Sequence, residues 1–269
     1  MHSTISRSGR ARGARTGVLA IRLRRLGDEG AAAWDLPPRA VAAIVLLPFA
    51  TMLAGGLSAL LGKGAYKWVT GEDGIAETLQ VSAYLLAFLL GVAITGRLWS
   101  GARRGIACLY ALVALGLFFL VGEELAWGQR IFGWVTPESL EAINKQGETT
   151  LHNIDGVGYA FKWAQLVVGA YGAILPVLLP WWIDGSSRSS AWARARGLLA
   201  FVVPHFTLIP YFAFMFVWRL YRNLFEEPTN YYFVVSEYNE VVELVLALGF
   251  LLFMTFQWRR LRVGNKTLG

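Results

Sequence analysis

GIACLYALVALGLFFLVG, residues 105–122, holds eighteen residues without one charge. At about 1.5 Å per residue a helix of that length comes close to crossing the ~30 Å hydrocarbon core of a bilayer, so the run reads as a transmembrane helix. EELAWGQRIFGWVTPE, residues 123–138, continues it without a gap. Glu123 and Glu124 therefore stand at the edge of hydrocarbon, where carboxylates are costly. The helix dipole does not account for them, because a helix C-terminus carries partial negative charge and disfavours acids. The pair is a candidate functional site.

Five further apolar runs flank this one: Ala40 to Leu61, Gly74 to Thr95, Val157 to Ile183, Gly197 to Trp218 and Asn239 to Trp258. With Gly105 to Gly122 they predict an all-α fold, a polytopic membrane bundle of six transmembrane helices. The third is expected to continue as a short amphipathic helix to about Trp134. The chain is 55% hydrophobic with 11 Trp and a mean hydropathy of +0.46, which excludes an ordinary soluble domain. Residues 1–36, rich in Arg, Gly and Ser, read as a flexible basic cytoplasmic tail without a signal peptide, so the first span serves as an uncleaved anchor. Residues 37–262 form the six-span membrane domain and 263–269 a short C-terminal tail. The single cysteine, Cys108, permits no intrachain disulfide.

Charge orients the bundle. The net charge of +7 is carried largely by basic residues that flank spans, so a nucleic-acid partner is not expected. With both termini on one side, that side holds 18 of the 25 Lys and Arg and is cytoplasmic by the positive-inside rule. The opposite face holds 14 of the 18 acids. Acids contribute little to topology, so this bias points to a polar surface built from several outer loops.

The outer acids form four groups. Glu72, Asp73 and Glu77 open the second span; the first turn explains acids as dipole partners, but Glu77 lies a turn deeper. Glu123 and Glu124 close the third. A loop from Thr136 to Asp155 begins with Thr136-Pro-Glu, a helix-start signature, and carries Glu148, His152 and Asn153; His152 is either a solvated loop residue or a ligand or proton shuttle. Glu237, Glu240 and Glu243 recur every third residue at the entry to the sixth span, which keeps them on one broad helix face. Such a set suits either acid–base work or a divalent metal; no spacing is a specific metal motif, so the residues assign neither a metal nor a cofactor. Arg130, Arg219 and Arg222, near outer span ends, either neutralise these acids or hold a phosphate or carboxylate head group. Trp127, Phe132, Trp134, Tyr231, Tyr232 and Phe233 read as an interfacial aromatic belt.

Two resemblances attach to these residues. Glu123-Glu124 with Phe201-Val-Val-Pro-His205 is similar to the Glu-Glu and Phe-x-x-x-His signatures of the intramembrane CAAX proteases. The pattern departs from that family: Gly128 stands where it has arginine, no histidine follows His205, and His205 lies about 15 Å deeper than Glu124. His205 is instead expected to serve a kink at Pro204 and Pro210, where freed carbonyls need donors. The segments Glu72 to Glu77, Glu123 to Gly133, Thr136 to Glu138 and Gln146 to Asn153 resemble an uncharacterised group of bacterial multi-pass membrane proteins, marked by Glu-Glu-x-x-Trp-Gly-Gln-Arg-x-Phe-Gly and Gln-Gly-Glu-x-x-Leu-His-Asn. That resemblance covers about the middle third of the chain and implies a bacterial inner membrane; it brings no activity.

The leading expectation is an enzyme working at the outer face on a lipid or lipid-linked substrate. Glu123, Glu124, His152, Glu77 and Glu240 are the candidate catalytic or metal-ligating residues. Arg130, Trp127, Gln129 and Asn153 are the candidate substrate-binding residues. A non-catalytic scaffold or an ion-coupled transporter would use the same polar groups differently.

Overall fold

The computed structural model describes residues 24–101, 103–154, 156–184, 197–225 and 232–266, and the chain divides into two compact units, Met1–Leu47 and Pro48–Gly269. In the first unit a helix, α1, covers 24–34, where the residue composition predicts the end of a flexible tail. Asp35, at φ +52°, stops it, and Pro38 starts α2, Pro38–Leu57, proline suiting a first helical position.

The second unit runs from the rest of α2 through a 3-10 turn, Ser58–Leu61. Its helices are α3 (Lys63–Thr70), α4 (Ile75–Ser100), α5 (Arg104–Glu124), α6 (Gln129–Phe132), α7 (Glu138–Glu141), α8 (Val157–Asp184), α9 (197–202), α10 (Ile209–Leu224) and α11 (Tyr232–Lys266). Among the described residues there is no strand, only a bridge between Asn144 and Ile154. Among the described residues, six segments are long and apolar enough to cross a membrane: Pro38–Leu61, Lys63–Ser100, Arg104–Glu124, Val157–Leu179, Gly197–Leu224 and Phe233–Arg262. The protein is a multi-pass, all-α membrane protein, with α11 the most buried span at 61%, against 17% for α8.

Water cannot drive helices together in hydrocarbon, so close approach through small residues matters. A Cβ on Gly91 of α4 would lie 3.1 Å from the Cβ of Ala114 on α5. On α8, a Cβ at Gly172 would lie 2.1 Å from the Phe212 ring and one at Gly169 would lie 2.6 Å from the Phe216 backbone nitrogen. Gly249 of α11 admits Tyr211 of α10 in the same way.

The fifth span is discontinuous. Pro204 ends α9, His205 is extended (φ −65°, ψ 147°), and a 3-10 turn at Phe206–Leu208 restarts the helix before Pro210. The freed carbonyls do find donors, as the kink requires, but those donors come from other helices. Tyr110 Oη donates to Phe201 O (2.5 Å), Tyr171 Oη to Val202 O (2.9 Å), and Gln257 Nε2 (3.1 Å) and Arg260 to Ala200 O. His205 instead accepts from Thr207 N and caps the turn.

The amphipathic continuation expected after α5 is interrupted at Glu124, because Ala126, Trp127 and Gly128 are all left-handed (φ 45°, 52° and 94°). Beyond them the helix resumes only as the single turn α6. Phe132 and Trp134 of the expected belt are exposed, while Tyr231 and the side chain of Tyr232 lie outside the described residues.

Gly169→Ala is expected to lower stability by about 1–3 kcal/mol, because its clash is with backbone that cannot rotate away. Gly116→Ala, whose Cβ would meet nothing within 4 Å, is expected to be neutral or slightly stabilising. Thermal unfolding of the two variants in one detergent checks both.

Candidate functional site

Glu123 is the hub of the end of α5. It is 2% exposed. Its Oε1 accepts from Trp127 Nε1 (2.6 Å), and its Oε2 accepts from Leu151 N (2.8 Å) and His152 N (2.8 Å) and meets His152 Nδ1 at 3.0 Å. The left-handed bend makes this possible by folding Trp127 back over its own helix. There the indole packs on Phe119 and Phe118, and Gly122 is required beneath it, since a Cβ would stand 2.9 Å from the ring. Two non-glycine residues with positive φ are unusual and are held by these surroundings.

The other half of the contact is a self-bonded loop. Asn144, buried, donates to Thr150 O (2.7 Å), and its Oδ1 accepts from Gln146 N (2.9 Å) and Glu148 N (3.3 Å). Gln129 clamps the loop from outside, donating to Thr136 Oγ1 (2.9 Å) and accepting from Thr149 N (2.8 Å), and Thr136 Oγ1 donates to Gly147 O (2.8 Å). Gly158 lets the start of α8 reach the loop, for a Cβ there would lie 2.4 Å from His152 O. His152 is thereby fixed between Glu123 and the ring of Phe161, 6.1 Å away, with its side chain 34% exposed.

Arg130 joins three carboxylates. Its Nη1 donates to Glu77 Oε1 (2.5 Å) and Asp73 Oδ1 (3.0 Å), and its Nη2 to Glu148 Oε1 (3.3 Å). Burial works against its charge, but the carboxylates of Glu77, Glu148 and Asp73 outweigh that and raise its pKa above the ordinary arginine value. Of the two uses weighed for this arginine, the geometry is that of charge pairing.

A third layer lies deeper. Gln80, fully buried one turn below Glu77, donates from Nε2 to Glu124 Oε1 (2.7 Å) and Glu243 Oε2 (3.4 Å). Glu243 Oε1 accepts from Arg219 Nη2 (2.9 Å) and Asn239 Nδ2 (2.6 Å), and Arg219 Nε donates to Gln165 Oε1 (2.6 Å).

These layers wall a cavity of about 360 Å³ at the end of the bundle where α5 and α10 stop and α4, α8 and α11 begin. Glu77, Glu123, Glu124, His152 and Glu240 all line it, so the five candidate catalytic residues share one space. Arg130 and Asn153 line it too; Trp127 and Gln129 do not, being taken up with Glu123 and the loop. His205 lies at the break in the fifth span, outside this cavity. The lining carries seven glutamates and four basic side chains, Arg130, Lys162, Arg219 and Arg222. Among the described residues, no group of three or more His, Cys, Asp or Glu is placed to hold a metal ion. No protein-family model, curated protein or solved structure matches the chain.

Gln80, Tyr84, Lys162, Gln165 and Asn239 are among the lining or near-lining residues that sequence reasoning passed over; Gln80 and Tyr84 carry a signal in the sequence. Their signal is periodicity: Glu77, Gln80 and Tyr84 recur at i, i+3 and i+7 on one face of α4.

Arg130→Ala is expected to destabilise the protein by about 2 kcal/mol, below the ~3–5 kcal/mol for stranding one partner of a fully buried pair because the arginine is 26% exposed. Adding Glu77→Gln should restore part of that loss. Thermal unfolding of the two single variants and the double variant measures the coupling, and an Arg130→Ala protein of unchanged stability would contradict the pairing.

Proposed function

We propose that this protein is a bacterial inner-membrane enzyme that acts on a lipid or lipid-linked substrate at the outer face by general acid–base chemistry. His152 is its base and Glu123 the residue that orients it. The observation that carries this reading is the 3.0 Å contact between His152 Nδ1 and Glu123 Oε2 on the wall of an open cavity. A carboxylate only accepts, so Nδ1 carries the proton, and in the neutral ring Nε2 then holds the lone pair. Nε2 has no hydrogen-bond partner among the described residues, and the ring is partly exposed. This is the carboxylate–imidazole arrangement that readies a histidine to take a proton from water or a hydroxyl.

Glu123 itself accepts four hydrogen bonds, three of them on Oε2, which suits it to orient His152 rather than to act as the base. Glu124 and Glu240, which line the same cavity, are the carboxylates assigned in this reading to bind substrate or return a proton. The outward placement is supported by the Lys and Arg bias toward the opposite side, and the bacterial inner membrane by the resemblance of the Glu123 to Gly133 and Gln146 to Asn153 segments. A carrier is less well supported, since the lining comes from one end of the helices and the broken fifth span has its carbonyls occupied.

Chromosomal His152→Ala is expected to reproduce the lipid profile of a deletion strain while protein abundance stays at the wild-type level. Mass spectrometry of lipid extracts, with quantitation of the membrane protein, reads both. Abundance lost in step with function would assign His152 to structure, and a wild-type profile at normal abundance would remove it as the base.

A further inference from the structure

The end of the bundle opposite the cavity, where α4, α8 and α11 stop and α5 begins, is crowded with arginine. α4 closes there with Arg97, α5 opens with Arg103 and Arg104, and α11 brings Arg259, Arg260 and Arg262. Among the described residues of the second unit, the order of the spans brings one acid to this end, Asp184 at the close of α8. Residues 185–196, next in the chain, add three arginines and no acid. Two aromatic rings each carry two of these guanidinium groups. Arg97 and Arg262 stand over Trp258, 5.9 and 4.8 Å from the ring centre, and Arg103 and Arg260 stand over Phe201 at 5.4 and 4.8 Å. Each ring attracts its arginines singly, but sharing a ring also holds like charges close together. None of the four is in a salt bridge among the described residues. Arg97, half-buried, donates to Leu261 O (3.4 Å) and Arg260 to Ala200 O, while Arg103 and Arg262 are exposed. Nor does the helix call for the arginines that start it: the first turn of α5 holds no acid, and its N-terminal dipole disfavours cations. The sidedness of Lys and Arg accounts for the sign of these residues and leaves their pairing over rings unexplained.

We infer that this end of the bundle binds the phosphate headgroup of an anionic phospholipid, with Arg97 and Arg262 on either side of the contact that Trp258 provides and the Arg103–Arg260 pair at Phe201 repeating the arrangement. The site is independent of how the cavity is read. A guanidinium fork meets phosphate oxygens two at a time, and stacking on a ring fixes the plane of that fork before the ligand arrives. The missing negative charge is thus supplied in the form that two neighbouring guanidinium groups recognise best. The occupant is a lipid because of where the rings stand. Trp258 and Phe201 belong to the membrane-crossing segments Phe233–Arg262 and Gly197–Leu224, close to the ends where hydrocarbon gives way to headgroups. Trp99, 52% exposed in the last turn of α4, carries the lipid-facing surface up to Arg97. A free phosphate would gain the charge contacts and none of this apolar surface, whereas a phospholipid gains both.

Native mass spectrometry of the full-length protein in detergent tests the site by titration with three probes: phosphatidylglycerol, phosphatidylcholine, whose phosphate is neutralised by its own ammonium, and soluble glycerol phosphate. Phosphatidylglycerol is expected to bind about tenfold tighter than either of the others, the scale of one or two charge-assisted hydrogen bonds. Arg97→Gln combined with Arg262→Gln should remove about tenfold of that affinity. Lys63→Gln combined with Lys67→Gln, which deletes the same two charges from α3 at the cavity end, should change it by less than about twofold. Since loss of charge can disturb insertion, Arg97→Lys combined with Arg262→Lys provides the second reading: it keeps the charge and removes the planar fork, and is expected to weaken phosphatidylglycerol by about fivefold. Equal losses in the α3 control, or unchanged affinity in both arginine variants, would reduce the site to general attraction between a basic protein and an anionic lipid and overturn it. Phosphatidylcholine binding as tightly as phosphatidylglycerol would overturn it as well, and glycerol phosphate doing so would make it a site for a soluble anion instead of a lipid.

Discussion

The Glu123 carboxylate accepts hydrogen bonds from two separate stretches of chain, the indole of Trp127 on one side and the backbone and ring of the 151–152 turn on the other. Both halves of the site are shaped by it. The bend after α5 brings the indole within reach, and the self-bonded loop presents two adjacent backbone N–H groups to the same oxygen. A buried carboxylate is tolerable only with such a full set of donors, so the strained left-handed residues and the loop stand or fall together. The glycines at 122 and 158 belong to this arrangement because each removes the Cβ that would push one half away.

The same rule, that no polar group stays unpaired in hydrocarbon, operates at the other break in the bundle. The carbonyls freed at Ala200, Phe201 and Val202 are met by Tyr110 from α5, Tyr171 from α8, and Gln257 and Arg260 from α11. Three helices are thus tied to a single interruption by side chains, where apolar contact with lipid would hold them no better than contact with each other. The break is closed chemically, and the cavity at the opposite ends of α5 and α10 keeps an opening.

Much of this was legible in the residues. The six spans follow from length and apolarity alone, since backbone groups in lipid must be satisfied within a helix. Glu77, Glu123, Glu124, His152 and Glu240 were legible because charge stands out against hydrocarbon, and all five line one cavity. Trp127 and Gln129 stand beside Arg130 in sequence, yet nearness in sequence says nothing of direction once the backbone turns left-handed. That turn had only a partial sign: Gly128 announces it, whereas Ala126 and Trp127 are residues that avoid positive φ, and only the packing of the indole over Gly122 explains them. The donors at the fifth-span break were hidden for a related reason, being supplied by residues 31 to 91 positions away along the chain.

Two adjacent glutamates at a helix end also resolve into two different environments through geometry alone. Successive side chains on a helix diverge by about 100°, so neighbours in sequence cannot share one environment. Glu123 turns toward the loop and is saturated there by N–H donors. Glu124 turns toward the bundle interior, where Gln80 offers one hydrogen bond and Glu243 adds like charge. The first carboxylate is therefore committed to holding His152, and the second lines the cavity together with Glu240 and Glu243. The histidine held by the first carboxylate lines the same cavity, so one helix end supplies both an orienting carboxylate and a cavity-facing one.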